Sequence, residues 1–195
     1  MVLKKVKTAV FISGTGSNLR NLIKFSNLKD SPISINLVIS NTRNAKGLKY
    51  ADQFNIKKKI FNFKNTKIAE KKILILIKKK KINLICLAGF MKILSKNFIK
   101  LFNKKIINIH PSLLPKYKGL NTHQKAIINK DRFAGCTVHH VTEKIDSGKI
   151  IMQKKIKILK TDNSITLAKK VLKKEHLLYP EAILSVLNVG NLKNK

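Results

Sequence analysis

The sequence predicts an α/β protein: one open, mostly parallel sheet with helices on both faces, forming a single domain over residues 1–195. Three observations predict it. Short apolar runs rich in Val and Ile alternate with lysine-studded stretches of helical period along the whole chain. Residues 82–87 are almost continuously apolar, as suits a parallel strand covered on both faces. The connections between these runs are short, and no internal repeat, low-complexity stretch or linker divides them.

Residues 5–12 read as the first strand. A basic start before an apolar stretch superficially resembles a leader, but it has no proper h-region or cleavage site and runs straight into a turn. That turn, Ser13-Gly14-Thr15-Gly16-Ser17-Asn18, opens a helix whose apolar face is Leu19, Leu22, Ile23 and Phe25. Glycines admit a close backbone approach, and the unpaired N–H groups of a helix start point at an anion. The turn does not complete G-x-G-x-x-G, and the same residues would also serve as an ordinary helix start with Ser17 or Asn18 near the N-cap. Residues 33–40 are the second strand, followed by a turn at 41–44, a helix at 46–54 and a short strand at 57–61. A lysine-rich helix over 65–80 takes Ile68, Ile73, Leu74, Leu76 and Ile77 as its buried stripe, and the lysines at 78–81 suit its C-terminal dipole.

After the strand at 82–87, the loop 88–95 presents Phe90, Met91, Ile93 and Leu94 and opens a short helix. These side chains would line the pocket of a flat ligand or pack as core beneath the loop. A strand at 106–110 follows, stopped by Pro111, then a Pro/Gly-rich loop to Leu120 and a helix at 122–129. Residues 135–141 and 149–158 read as strands joined through 142–148, and a last helix covers 164–187.

The chemistry gathers around the strand at 106–110. Asn108 and His110 lie two apart, so both side chains leave one face of the strand at its carboxyl end, where open α/β sheets bind ligands. Alone, this pair is equally a strand end capped by a turn. Asp146 adds a carboxylate able to orient the imidazole and stabilise its cation, and an Asn amide can hold a developing oxyanion. No convincing nucleophile is present. Ser13 and Ser112 lack a nucleophile elbow, and neither Cys86 nor Cys136 has a His beside it. His139 and His140 are adjacent, so on a strand they face opposite sides and cannot chelate together. A metal-free acyl transfer, in which the substrate brings its own nucleophile, fits these groups best.

The net charge of +33 invites a nucleic-acid reading, yet only Arg20, Arg43 and Arg132 of the 42 basic residues are arginines. Arginine is the residue for bidentate phosphate and base contacts, and no aromatic side chains interleave the scattered lysines as stacking platforms. A coding bias towards lysine explains the composition. The expectation is no specific nucleic-acid partner, with a general attraction for anionic substrates. Lysines interrupt every apolar run before the roughly 18 residues of a membrane span, so no membrane partner is expected. Two cysteines in apolar runs suit free buried thiols in a reducing cytoplasm.

The stretch Asn108-Ile109-His110-Pro111-Ser112-Leu113-Leu114-Pro115-Lys116-Tyr117, followed by Gly119, resembles the signature of the folate-dependent formyltransferases. Matching blocks fall in family order at 12–19, 87–95 and 141–148, with Glu175-His176 and Tyr179-Pro180 in the last helix. The set is most similar to the branch acting on phosphoribosylglycinamide. The resemblance implies a Rossmann-like formyltransferase fold with an antiparallel strand near the C-terminus. It implies formyl transfer from 10-formyltetrahydrofolate, as co-substrate, to the substrate amine in purine synthesis, without a metal, by a cytoplasmic monomer or homodimer. Asn108 would hold the formyl oxygen, His110 would move the proton and Asp146 would raise the His pKa. Gly16, Ser17 and Asn18 would take the substrate phosphate and Glu175 its ribose. The folate would lie against Met91, Lys92, Ile93, Leu94, Val141, Thr142 and Asp146, also reaching Asn108. Thr66 falls where the family often has an Arg for the folate tail, with Lys64 and Lys67 as substitutes. Lys92 also stands where Arg is common, and Asn121 stands for a His that would contact the Asp. Methionyl-tRNA formyltransferases resemble the chain less, lacking the Gly-Ser-Asn-Leu of the first turn and normally carrying a further C-terminal domain. Formyltetrahydrofolate hydrolases usually carry an extra N-terminal domain. A lysine-rich RNA-binding module would need a clustered basic face.

Overall fold

The computed structural model describes residues 4–189. The chain divides into two compact units, Met1–Ile107 and Asn108–Lys195. Among the described residues, seven strands hydrogen-bond in the order β3-β2-β1-β4-β5-β6-β7, the mostly parallel sheet the sequence predicts.

In the first unit, β1 (Val6–Ile12) pairs in parallel with β2 (Ile33–Ser40) on one side and β4 (Leu84–Leu87) on the other. Residues 8–12 of β1 are wholly buried, because neighbours and helices cover both faces. The short β3 (Lys58–Ile60) pairs in parallel with β2. Four helices complete the unit: α1 (Ser17–Ser26), α2 (Leu48–Gln53), α3 (Thr66–Lys79) and α4 (Lys96–Phe102). Leu19, Leu22 and Ile23 of α1 and Ile73 of α3 are fully buried, each contributing about 1.5–3 kcal/mol of apolar transfer.

The α3 stripe differs from expectation. Ala69, Glu70, Ile73 and Ile77 are buried, whereas Ile68 is 52% exposed. Five residues before Ile73 is about 140° around a helix, which turns Ile68 to solvent. The N-cap of α1 is Gly16, in the left-handed region and without a side-chain cap, so Ser17 and Asn18 lie inside the first turn.

β5 (Lys105–His110) leads into the second unit. There α5 (Thr122–Ile128) precedes an antiparallel pair, β6 (Phe133–His140) and β7 (Ile150–Lys157). From Met152 onwards β7 alternates half-buried and exposed residues, as a strand with one solvated face must. Across it lies α6 (Ser164–Val186), packed on β6 and β7 through its buried face, including Leu167, Val171 and Leu178. A capping box fixes its start: the Asn163 side chain accepts from Thr166 N–H at 2.9 Å, while Thr166 Oγ1 accepts from Asn163 N–H at 3.0 Å. Among the described residues, no helix is long and apolar enough to cross a membrane.

Candidate active site

Four polar side chains of the second unit meet at one place. β5 delivers Asn108 and His110, β6 delivers His139, and the connection after β6 delivers Asp146. Asp146 is the hub. Its Oδ2 accepts from Gly119 N–H at 2.8 Å and lies 3.3 Å from His110 Nδ1. Its Oδ1 lies 3.4 Å from both His139 Nε2 and Asn108 Nδ2. Asn108 Nδ2 also meets His139 Nε2 at 3.1 Å. Asp146 reaches this position with a left-handed backbone, φ 44°, a conformation that costs a non-glycine residue on the order of 1 kcal/mol or more.

The outer ring atoms fix the tautomers. His110 Nε2 is 2.8 Å from the Tyr117 carbonyl and His139 Nδ1 is 2.8 Å from the His140 carbonyl. A carbonyl only accepts, so both of these nitrogens carry protons. In the neutral form of His139, Nε2 is then the acceptor for Asn108. Neutral His110 turns the lone pair of Nδ1 towards the Asp146 carboxylate, where an arriving proton would be stabilised at once.

Burial is the largest influence on His110 and holds its pKa below the ordinary 6.5, with His139 and Lys125 pushing the same way. The Tyr117 carbonyl and the Asp146 carboxylate oppose that fall without overcoming it. Burial also works to raise the Asp146 pKa, but the His139 contact, the Gly119 N–H and the electrostatic influence of the neighbouring histidines outweigh it and leave the carboxyl below the ordinary 3.8. Near neutral pH the site thus pairs an uncharged, proton-accepting imidazole with a carboxylate.

The surrounding loops are tied down locally. Ser112 Oγ donates to the Lys116 carbonyl at 2.6 Å, and Thr137 Oγ1 on β6 donates to the Ser112 carbonyl at 2.6 Å. The Tyr117 hydroxyl donates to Asp131 at 2.9 Å, so the residue whose carbonyl holds His110 is itself anchored. Gly148 comes so close to the end of β6 that a Cβ there would stand 1.7 Å from the His140 carbonyl oxygen. Asn121 is exposed at the left-handed N-cap of α5 and makes no cap bond; it is the Gly119 N–H that supports the carboxylate.

The other sequence-predicted residues fall as follows. Gly16 sits at φ 75°, and a Cβ on it would stand 2.5 Å from Gly47 Cα. Ser17 is half-buried and Asn18 buried in the first turn of α1. Met91 and Ile93 are 60% and 59% exposed, Lys92 is exposed and Leu94 is buried. Thr66 is half-buried as the first residue of α3, with Lys64 and Lys67 exposed around it. Val141 is half-buried and Thr142 exposed after β6. Glu175 is buried on α6, and its charge joins burial in pushing the Cys136 thiol up to about 12. Neither cysteine is in a disulfide, and both are buried. Among the described residues, no three His, Cys, Asp or Glu side chains are placed to hold a metal. Sequence reasoning missed His139, which it weighed only against its neighbour His140. The usable signal was the place of His139 near the carboxyl end of β6, as Asn108 and His110 lie near the carboxyl end of β5.

A sequence model of the formyl transferase family matches residues 6–183, across both units. The chain belongs to the formyltransferase family. It is 42% identical over 180 residues to the phosphoribosylglycinamide formyltransferase of Haemophilus influenzae, covering 91% of this chain and 85% of that protein. The solved phosphoribosylglycinamide formyltransferase of Brucella melitensis is 42% identical with a TM-score of 0.89, covering 94% of this chain and 96% of the other. The human trifunctional purine biosynthetic protein adenosine-3 is 40% identical over 183 residues, 92% of this chain, but this formyltransferase-family chain spans only 18% of its length.

Proposed function

We propose that this chain transfers the formyl group of 10-formyltetrahydrofolate to the amine of 5'-phosphoribosylglycinamide, a step of purine synthesis. The observation that carries the reading is the cluster in which Asp146 faces Nδ1 of a buried, neutral His110 while Asn108 directs its amide hydrogens into the same site. The substrate amine attacks the formyl carbon, a tetrahedral intermediate forms, and the bond to N10 of the folate breaks. His110 Nδ1 takes the proton lost by the amine, Asp146 stabilises the imidazolium, and the proton passes on to the departing N10. Asn108 exchanges its long hydrogen bond to Asp146 for the developing oxyanion.

In this reading Gly16, Ser17 and Asn18 bind the phosphate at the N-terminus of α1, and Glu175 binds the ribose. The folate lies against Met91, Lys92, Ile93, Leu94, Val141, Thr142 and Asp146, contacts Asn108, and extends its tail towards Thr66. The enzyme is cytoplasmic, works as a monomer or homodimer, and uses no metal and no specific nucleic-acid or membrane partner. The test is turnover of the two substrates followed by absorbance, at two salt concentrations and beside an RNA-binding control. Asp146→Asn should lower kcat by roughly 10²–10⁴. Absence of turnover in the parent protein defeats the activity, and full activity in Asp146→Asn defeats the role of the carboxylate.

A further inference from the structure

Ser13 stands where β1 ends, and its hydroxyl is engaged twice. It donates to Asn41 Oδ1 at 2.5 Å, just beyond β2, and accepts from Met91 N–H at 2.7 Å in the loop after β4. Its own N–H donates to the Gly89 carbonyl at 3.1 Å, one step beyond the bond of 2.9 Å from Ala88 N–H to the Phe11 carbonyl. Gly89, at φ 72°, then lets the chain double back so that Met91 reaches the hydroxyl. One small residue therefore ties together the carboxyl ends of three adjacent strands, β2, β1 and β4.

The far end of the same loop has its own anchor. Glu70, buried on α3, accepts from Ser95 N–H at 2.7 Å and from the Ser95 hydroxyl at 2.5 Å. Between the two anchors, Met91 and Ile93 stay 60% and 59% exposed. Apolar side chains held out to solvent on a segment fixed at both ends form a surface whose shape the protein sets before any ligand arrives. The Ser13 tie requires a group that gives and accepts at once, which a hydroxyl does and a methyl does not.

We propose that Ser13 is a positioning residue for the formyl donor: it holds the Met91–Ile93 platform in register with the end of β1. The inference rests on the reading above of residues 91–94 as a seat for the folate. Three measurements on Ser13→Ala and Ser13→Thr test it. Amide exchange at Met91 should accelerate in Ser13→Ala and stay near the parent rate in Ser13→Thr. The Kd for tetrahydrofolate and the KM for the formyl donor should rise on the order of tenfold in Ser13→Ala, the loss of one well-placed hydrogen bond. The kcat should stay within about twofold, because no reacting group is touched, and Ser13→Thr should restore binding. A parent protein that fails to bind tetrahydrofolate overturns both the folate seat and this inference. A parent that binds, with Ser13→Ala binding equally well, overturns the inference alone, and so does an unchanged exchange rate at Met91.

Discussion

Asp146 has two oxygens and four neighbours, and the division of labour between them decides what His110 can do. The Gly119 N–H is the shortest contact, at 2.8 Å, so it fixes the carboxylate without competing for the proton that the proposed mechanism moves. Because burial holds His110 below 6.5, kcat/KM should be flat above that pH and fall as the pH drops through the depressed value. Removing the carboxylate removes an upward influence, so Asp146→Asn should move this acid limb to still lower pH while reducing the plateau; a pH–rate profile of both proteins checks it. His139→Ala takes away the acceptor that orients the Asn108 amide. Its kcat should fall by less than the roughly 10²–10³ expected for losing an oxyanion donor outright, which single-turnover kinetics would measure. Asn108 and His110 were legible in the sequence because strand alternation is local. His139 and Ser13 were not, because their partners are remote: Ser13 bonds to residues 28 and 78 positions away.

Elements were more legible than contacts. The predicted strand at 33–40 matches β2, and the remaining elements shift by a few residues at their ends, since apolar periodicity and turn residues report element type better than boundaries. Ile68 escaped because a cluster of isoleucines on a lysine-rich helix leaves the phase of the buried stripe ambiguous. The turn into α1 depends on a pair of glycines rather than one. Gly47 N–H donates to the Gly14 carbonyl at 2.9 Å, and Gly16 and Gly47 are each too close to the other's Cα to admit a Cβ. Gly16→Ala combines that clash with a left-handed φ. It should raise KM for the ribonucleotide, and steady-state kinetics with that substrate varied would show an unchanged KM if the turn does not bind it.

At the scale of the molecule, the charge of +33 was plain in the sequence, whereas the histidines that couple folding to pH were not, since only burial reveals them. His110, His123 and His176 all have pKa values lowered from 6.5, with burial the largest cause in each. Unfolded histidines take up protons near their ordinary value while these folded ones resist. Stability contributed by the neutral rings is therefore complete above about pH 6.5 and declines as the pH falls towards the folded values. The lowered Asp146 acts in a separate window, below 3.8, where its contribution is lost as the pH falls through its folded value. Urea midpoints at pH 7.5 and 5.5, at fixed ionic strength, should show the protein weaker at the lower pH. Equal midpoints would mean that these rings titrate normally.

The closeness of Gly148 to the His140 carbonyl gives an apparently inert position a chemical meaning. That oxygen is the acceptor that decides which nitrogen of His139 carries the proton, and hence whether Asn108 finds a lone pair or a competing hydrogen. A side chain at 148 would push directly on this acceptor. Inactivating changes at that glycine would look like loop damage in a genetic screen, yet they would act through the protonation of a ring in the preceding strand.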